Sequence, residues 1–346
     1  MTVETPSVAV ALVNWNGWRD TLACFETLAK ISNPPLDFYL CDNASGDDSV
    51  EQIARWARTA GWTVGLVDHI HDGAEATVFL GSRAPPRLTL IRNYENAGFA
   101  RGTNIAMRYA LASGRPYLAM WVLNTDTLVD PHAVESGVAA LLAQPHAGSV
   151  QSLLLGYPND AVIDSAGVRL LRRGGAKYLL RGRTPADLGP PQNHGLIAIF
   201  GCCAASAFYR TTALQEVGLF DEELFQTNED VDLACRLQAA GYSAFLAPQS
   251  VVRHKGGVSR RRKRGRMWFI ANRAKLRVVA RWWPRQLAVP ALVIGALRAL
   301  LVMARTGEVS AGAWVALLRE LWRDYCGGAT GVERQNILAA GSRGFL

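Results

Sequence analysis

The chain has 346 residues, 49% of them hydrophobic and 19% charged. That is enough to bury a full core and excludes disorder over most of its length. Its net charge is +8, but residues 1–250 hold 18 Lys/Arg against 25 Asp/Glu, whereas residues 251–346 hold 19 against 4. A mildly acidic body with a strongly basic tail points that tail at phosphate, in a ligand, a membrane surface or a nucleic acid.

The opening MTVETPSVAVALVNWNG has no charged segment ahead of a long apolar core, so no signal peptide is expected. Cys24, Cys41, Cys202, Cys203, Cys235 and Cys326 form no CxxC pair and no zinc spacing, and free thiols in a reducing cytosol are expected.

Apolar β-rich runs then alternate with helical spacing. SVAVALV is followed by GWRDTLACFETLAKI, LDFYLCDN by DSVEQIARWART, LTLIRN by the glycine-bearing GFARGTNIAM, and YLAMWVLN by DPHAVESGVAALLAQ. Continuous apolar strands separated by helices predict a mostly parallel sheet covered on both faces. The segment from Asp68 to Arg87 reads as a polar loop or small hairpin, and its His69 and His71 lack a third metal ligand nearby. Residues 147–209 are strand-rich with Gly/Pro turns, TTALQEVG and NEDVDLACRLQAAG are helical, and long helices dominate from Met267 on.

Open parallel sheets bind ligands beyond the carboxyl ends of their strands. Four such ends carry Asn and Asp: NWN (14–16), CDNAS (41–45), RNYENAG (92–98) and LNTDT (123–127). The first strand is followed by neither GxGxxG nor a P-loop, which disfavours nicotinamide chemistry. Asp42 can accept from a ribose or base, and Asp126 suits a hard divalent cation on a diphosphate. Two readings stand for Glu229 and Asp230 in TNEDVDLACRL: helix-dipole capping, or a general base aimed at a hydroxyl. For Asp232 capping is the favoured reading. His254 in VVRHKGG is either structural or a ligand.

The ordered set VALVNWNG, CDNASGD, NAGFARGTN, LNTDT, GLFDEELFQTNEDVDLACRLQAAGY and VVRHKGG resembles family 2 glycosyltransferases of the inverting GT-A fold, in the bacterial branch with rhamnosyl- and galactofuranosyltransferases. WFIANRAKL resembles an aromatic-rich stretch of that branch. The resemblance implies an α/β GT-A catalytic domain over 1–258 and a basic helical extension over 259–346. It implies that Asn14, Trp15, Asp42 and Asn43 hold the nucleoside, and that Asn96, Gly98, Arg101 and Asn104 line the nucleotide pocket. Asp126 would bind Mg2+ or Mn2+, with Asn124 in place of the first acidic residue and His254 completing the site. Asp230 would be the base and Glu229 its acceptor-side neighbour. The chain departs from the family at Thr125, where proline is usual, and at QTNED, which lacks an aromatic two residues before Glu229.

The expected donor is a dTDP- or UDP-linked sugar, such as rhamnose, and the acceptor a glycan or polyprenyl-pyrophosphate-linked glycan of the bacterial envelope. A nucleotidyltransferase and a non-catalytic nucleotide-sugar-binding protein are the alternatives; a missing Gly-rich, lysine-bearing signature after the first strand weighs against the former. SRRRKRGRMW carries six basic residues between Arg260 and Arg266 and lacks interleaved aromatics, so an anionic membrane surface or a lipid pyrophosphate is expected rather than nucleic acid. The next apolar stretch contains Pro290, is broken by Arg298, and runs without a charged or hydrogen-bonding side chain only from Leu287 to Leu297. With Trp282 and Trp283 it predicts an interfacial helix, and residues 287–304 either insert in the membrane or pack in the fold. The expected location is peripheral, on the cytoplasmic face of the bacterial membrane.

Overall fold

The computed structural model describes residues 6–69, 87–190, 195–256, 264–307 and 309–342. His71 and most of the basic run lie outside them. The first half alternates as β1 (Val8–Asn14), α1 (Trp18–Leu28), β2 (Leu36–Asn43), α2 (Ser49–Thr59), β3 (Val64–His69), β4 (Leu88–Asn93), α3 (Gly98–Ala112), β5 (Ala119–Leu123), β6 (Thr127–Val129) and α4 (Ala133–Ala143). Then follow β7 (Ala147–Gly156), β8 (Ile163–Ser165), β9 (Val168–Leu170), β10 (Ala176–Tyr178), β11 (Ile197–Ile199), β12 (Ser206–Arg210), α5 (Thr211–Val217), α6 (Glu229–Ala239) and β13 (Ser243–His254). Helices α7 (Arg264–Trp282), α8 (Arg285–Thr306), α9 (Ala311–Gly327) and α10 (Gly331–Ser342) complete the chain.

One large sheet runs β11-β13-β7-β12-β5-β1-β2-β4-β3, with β6 on β13 and β8 on β7, and β9 and β10 form a separate hairpin. The half from β5 to β3 is parallel, and β12 is antiparallel to both its neighbours. Two apolar layers sandwich the sheet. Leu12, Phe25, Phe38, Trp121 and Phe208 belong to one, and Ile91, Met107, Met120, Tyr209 and Leu233 to the other. The alternation that predicted a mostly parallel α/β body is therefore present. The strand Val64–His69 escaped the sequence reading. His69 ends it, buried, with its ring edge-on to Tyr109.

In-phase strand pairing makes the polar rim. Asn14 lies opposite Asp42, and Asn43 opposite Asn93. The C-terminal helices share an apolar cluster with the body: Ala274, Val278 and Trp283 pack with Val168, Phe200 and Val231. Charges reinforce the seam. Arg277, fully buried, pairs with Asp324 and Glu223, and Arg281 pairs with Asp221 and Asp324. Helix α8 runs unbroken through Pro290 and Arg298 for 22 residues, so it is long and apolar enough to cross a membrane. It turns a small stripe (Ala288, Gly295, Ala296, Ala299) inward and leaves Val289, Val293, Ile294, Leu297 and Leu301 exposed.

Candidate active site

The β1 and β2 ends are tied into one unit. Asn14 donates to Asp42 Oδ2 (2.7 Å) and Ser45 Oγ (3.1 Å), and accepts from Thr21. Asp42 also accepts from the Ser45 amide and hydroxyl. Trp15 stands about half exposed beside this rim. Asn43 is a second knot: it donates to Asn96 Oδ1 and the Gly98 carbonyl, and accepts from Asn93 and the Ala97 amide.

The start of α3 makes a close approach, but to protein. Gly98 has φ +81°, and a Cβ there would sit 2.5 Å from the Phe225 carbonyl oxygen. Only glycine meets both conditions. Phe225 O in turn accepts from the Ala100 amide. Asn104, buried, donates to the Phe220 carbonyl and Glu222 and accepts from the Phe220 amide. Arg101 pairs with Glu95 and, at 3.7 Å, with Glu222. Among the residues expected to line the nucleotide pocket, Asn96, Gly98 and Asn104 thus tie α3 to the loops around it, and Gly98 and Asn104 tie it to the segment leading into α6.

Pairing of β6 with β13 sets Thr127 opposite His254 and so brings Asp126 to the same ring. His254 Nε2 lies 3.3 Å from Asp126 Oδ1, and Nδ1 donates to Asp164 Oδ2 at 2.8 Å. Burial opposes a charge on the ring, but the bonds to Asp126 and Asp164 outweigh it and raise its pKa to about 9. Burial acts to raise the Asp126 pKa, and the His254 contact more than offsets that, holding it below the usual carboxylate range. The Asn124 amide nitrogen lies 3.4 Å from His254 Nε2, and its oxygen is buried with no hydrogen-bond partner. An orphaned amide oxygen beside a carboxylate and an imidazole suits a hard divalent cation. No cluster of three His, Cys, Asp or Glu side chains that could hold a metal exists among the described residues. A cation at Asp126 and His254 would therefore need water or ligand oxygens to fill its shell.

Asp164 was missed by the sequence reading, because it sits on a three-residue strand with no motif around it.

The segment before α6 is folded tightly. Phe225, Thr227 and Asn228 all have positive φ, a costly conformation for a β-branched residue such as Thr227. The turn delivers Glu229 and Asp230 to the first turn of α6, both buried. Burial, and for Glu229 the neighbouring Asp230 charge, push both carboxyls well above their ordinary pKa values. Asp230 accepts from the Ala204 and Val231 amides, and Glu229 Oε2 has no hydrogen-bond partner. Asp230 opens on a cleft of about 590 Å3 walled by the β9–β10 hairpin. Burial, and after it the Asp230 charge, push the Cys203 thiol up. Asp232 accepts from Arg236 and from the Trp282 indole, which fixes α6 to α7.

The mixed, mostly parallel sheet flanked by helices, with Asn and Asp at its strand ends, is a GT-A fold. Family models match two stretches: "Glycosyl transferase family 2" over residues 9–218 and "Glycosyl transferase family group 2" over residues 120–321. The chain belongs to glycosyltransferase family 2. It is 30% identical over 192 residues to an N-acetylglucosaminyl-diphospho-decaprenol L-rhamnosyltransferase of Mycobacterium tuberculosis, a match covering 49% of this chain and 59% of that relative. Among solved structures it is similar to GalNAc-T7 with UDP, GalNAc and Mn2+, with a TM-score of 0.64 and 13% identity over 98% of this chain and 57% of that one. It is also similar to the mannosyltransferase PcManGT of Pyrobaculum calidifontis with GDP-Man and Mn2+, with a TM-score of 0.52 and 17% identity over 98% of this chain and 86% of that one. At these identities the two structures speak for the fold alone.

Proposed function

We propose that this protein transfers a sugar, rhamnose being the favoured one, from a nucleoside-diphosphate donor to an acceptor hydroxyl with inversion. The observation that carries this is the buried Glu229–Asp230 pair, of which Asp230 opens on a cleft whose Arg181 reaches Asp164 and through it His254. Burial raises both carboxyls, which suits a base that must work near neutral pH. In this reading the proton held by the pair sits on Glu229 and the negative charge on Asp230. Asp230 then takes the proton of the acceptor hydroxyl while that oxygen attacks the anomeric carbon. The bond to the nucleoside diphosphate breaks on the opposite face, so the configuration inverts without a covalent intermediate.

Asn14, Trp15, Asp42 and Asn43 form the nucleoside side of the pocket, with Asn96, Gly98, Arg101, Asn104 and Asn124 bounding it. Asp126 and His254 are the residues that would hold Mg2+ or Mn2+. A divalent cation, when bound, supplies Lewis-acid neutralisation of the leaving diphosphate. The donor is dTDP- or UDP-linked, and the acceptor a glycan carried on a polyprenyl diphosphate, a class supported by the name of the mycobacterial relative. Residues 1–258 form the catalytic body. Residues 259–346 hold it on the cytoplasmic face of a bacterial membrane through the basic run and the exposed apolar face of α8.

A screen of nucleotide sugars for donor hydrolysis, run with Mg2+, Mn2+ or EDTA, tests the reading. Consumption of one donor in a metal-dependent way supports it, and inertness towards all donors contradicts it.

A further inference from the structure

The hairpin stretch Val168–Arg183 carries six basic residues and no acidic one, within a body whose balance is acidic. Four of them, Arg169, Lys177, Arg181 and Arg183, line the cleft into which Asp230 opens, and among the described lining residues Asp230 is the one carboxylate. Arginines elsewhere, such as Arg236, Arg277 and Arg281, are spent on ion pairs. In the cleft, Arg181 is committed to Asp164 (3.0 Å). Arg169, Lys177 and Arg183 make no ion pair among the described residues, and the Arg169 Nε is buried with no hydrogen-bond partner. A desolvated guanidinium nitrogen without an acceptor is an incomplete arrangement that an anion would finish.

The hairpin is also fixed against the apolar helices. A Cβ on Gly174, whose φ is +91°, would lie 2.9 Å from Ala291 of α8, and the Trp283 indole donates to the Leu171 carbonyl at 2.9 Å. The cationic wall is thus joined to the helix that exposes Val289, Val293 and Ile294.

We propose that Arg169, Lys177 and Arg183 form an acceptor-side phosphate subsite that takes the diphosphate of a lipid-linked acceptor. The inference rests on reading Asp230 as the acceptor-side base. The hairpin is a different element from the basic run at 260–266, and its cations face the cleft that carries the base. A diphosphate held there would put the first sugar of the acceptor towards Asp230 and its lipid towards α8.

The test is calorimetric binding of decyl diphosphate to the full-length protein, with UDP or dTDP saturating the donor side. The comparison is with the Lys177→Gln/Arg183→Gln double variant, both side chains being exposed, and separately with Arg169→Gln. The expected result is binding weakened about tenfold or more in each, together with a similar fall in the kinetic preference for a diphosphate-linked over a neutral alkyl-linked acceptor. Two results would overturn the proposal. Decyl diphosphate could be displaced by the nucleotide and ignore the variants, which would assign it to the donor side. Alternatively, the variants could lose anionic-vesicle binding while keeping decyl diphosphate, which would assign the cations to lipid headgroups. Variant-sensitive binding without any sugar transfer would leave the subsite standing and remove the glycosyltransferase reading instead.

Discussion

Asp164 holds His254 by its Nδ1, 2.8 Å away, while the other ring nitrogen faces Asp126 at 3.3 Å. Arg181 binds the far oxygen of Asp164 at 3.0 Å. One chain of contacts therefore runs from the cleft wall to the candidate cation site. It gives Asp164 a positioning role: it fixes which face of the imidazole meets the Asp126 side.

Asp164→Asn is accordingly expected to weaken metal-dependent donor binding by about 10–100-fold, the usual scale for an outer-shell partner. Asp126→Ala should weaken it more, and His254→Ala less than Asp126→Ala. Titration of the nucleotide with and without EDTA measures this. Equal affinity in both conditions would remove the cation from the site.

Asp230→Asn should keep donor affinity and lose about 10²–10⁴-fold in turnover, the range for loss of a general base. Donor binding by calorimetry and transfer rates on the same preparation separate the two effects.

The raised carboxyls fix the sign of two pH effects. Activity should fall on the acid side at a pH above the ordinary carboxylate range, as Asp230 gains its proton. A carboxyl raised on folding contributes its stability fully below its unfolded pKa and loses it as pH rises through the folded value. Glu229→Gln mimics the protonated form, so it should stabilise the protein by about 1–2 kcal/mol at pH 8, one pKa unit being about 1.4 kcal/mol. That gain should shrink at pH 5 and be gone below about pH 4.5, the ordinary glutamate value. Thermal melts at the two pH values check it.

Serine at Arg260, Arg261, Arg262, Lys263 and Arg264 should release the protein from anionic vesicles at low salt, at about 1 kcal/mol per basic residue. Wild-type binding should itself weaken as salt rises. Flotation that ignores both salt and the serines would point to insertion of α8, and Leu297→Gln/Leu301→Gln, on its exposed face, would then abolish it.

Apart from β3, the parallel half of the sheet was legible because its strands are continuous apolar runs that lead into Asn or Asp, a pattern that needs no tertiary knowledge. Asp126 and Asp230 stood out for the same reason: each closes or opens a strongly patterned element. Asp164 did not, since β8 has three residues and its importance comes from β7 pairing on both sides. The hairpin cations were passed over because a basic stretch reads as solvated surface until a cleft is seen behind it. Gly98 is expected on the nucleotide pocket, and its backbone packs closely against protein. Its neighbour is Phe225, more than a hundred residues away in sequence, and no local pattern announces that contact. Pro290 and Arg298 read as helix interruptions, yet α8 continues through both, with Pro290 inside the helix, where a proline removes one backbone hydrogen bond.

The central claim is inverting transfer driven by Asp230. It is tested most directly by NMR of the reaction with a dTDP-linked rhamnose donor and a diphosphate-linked acceptor, reading the anomeric configuration of the first product formed. The account predicts a product whose anomeric centre is opposite to the donor's, formed by the wild type and about 10²–10⁴-fold more slowly by Asp230→Asn. A product that retains the donor's configuration, or one formed at the wild-type rate by Asp230→Asn, would contradict it.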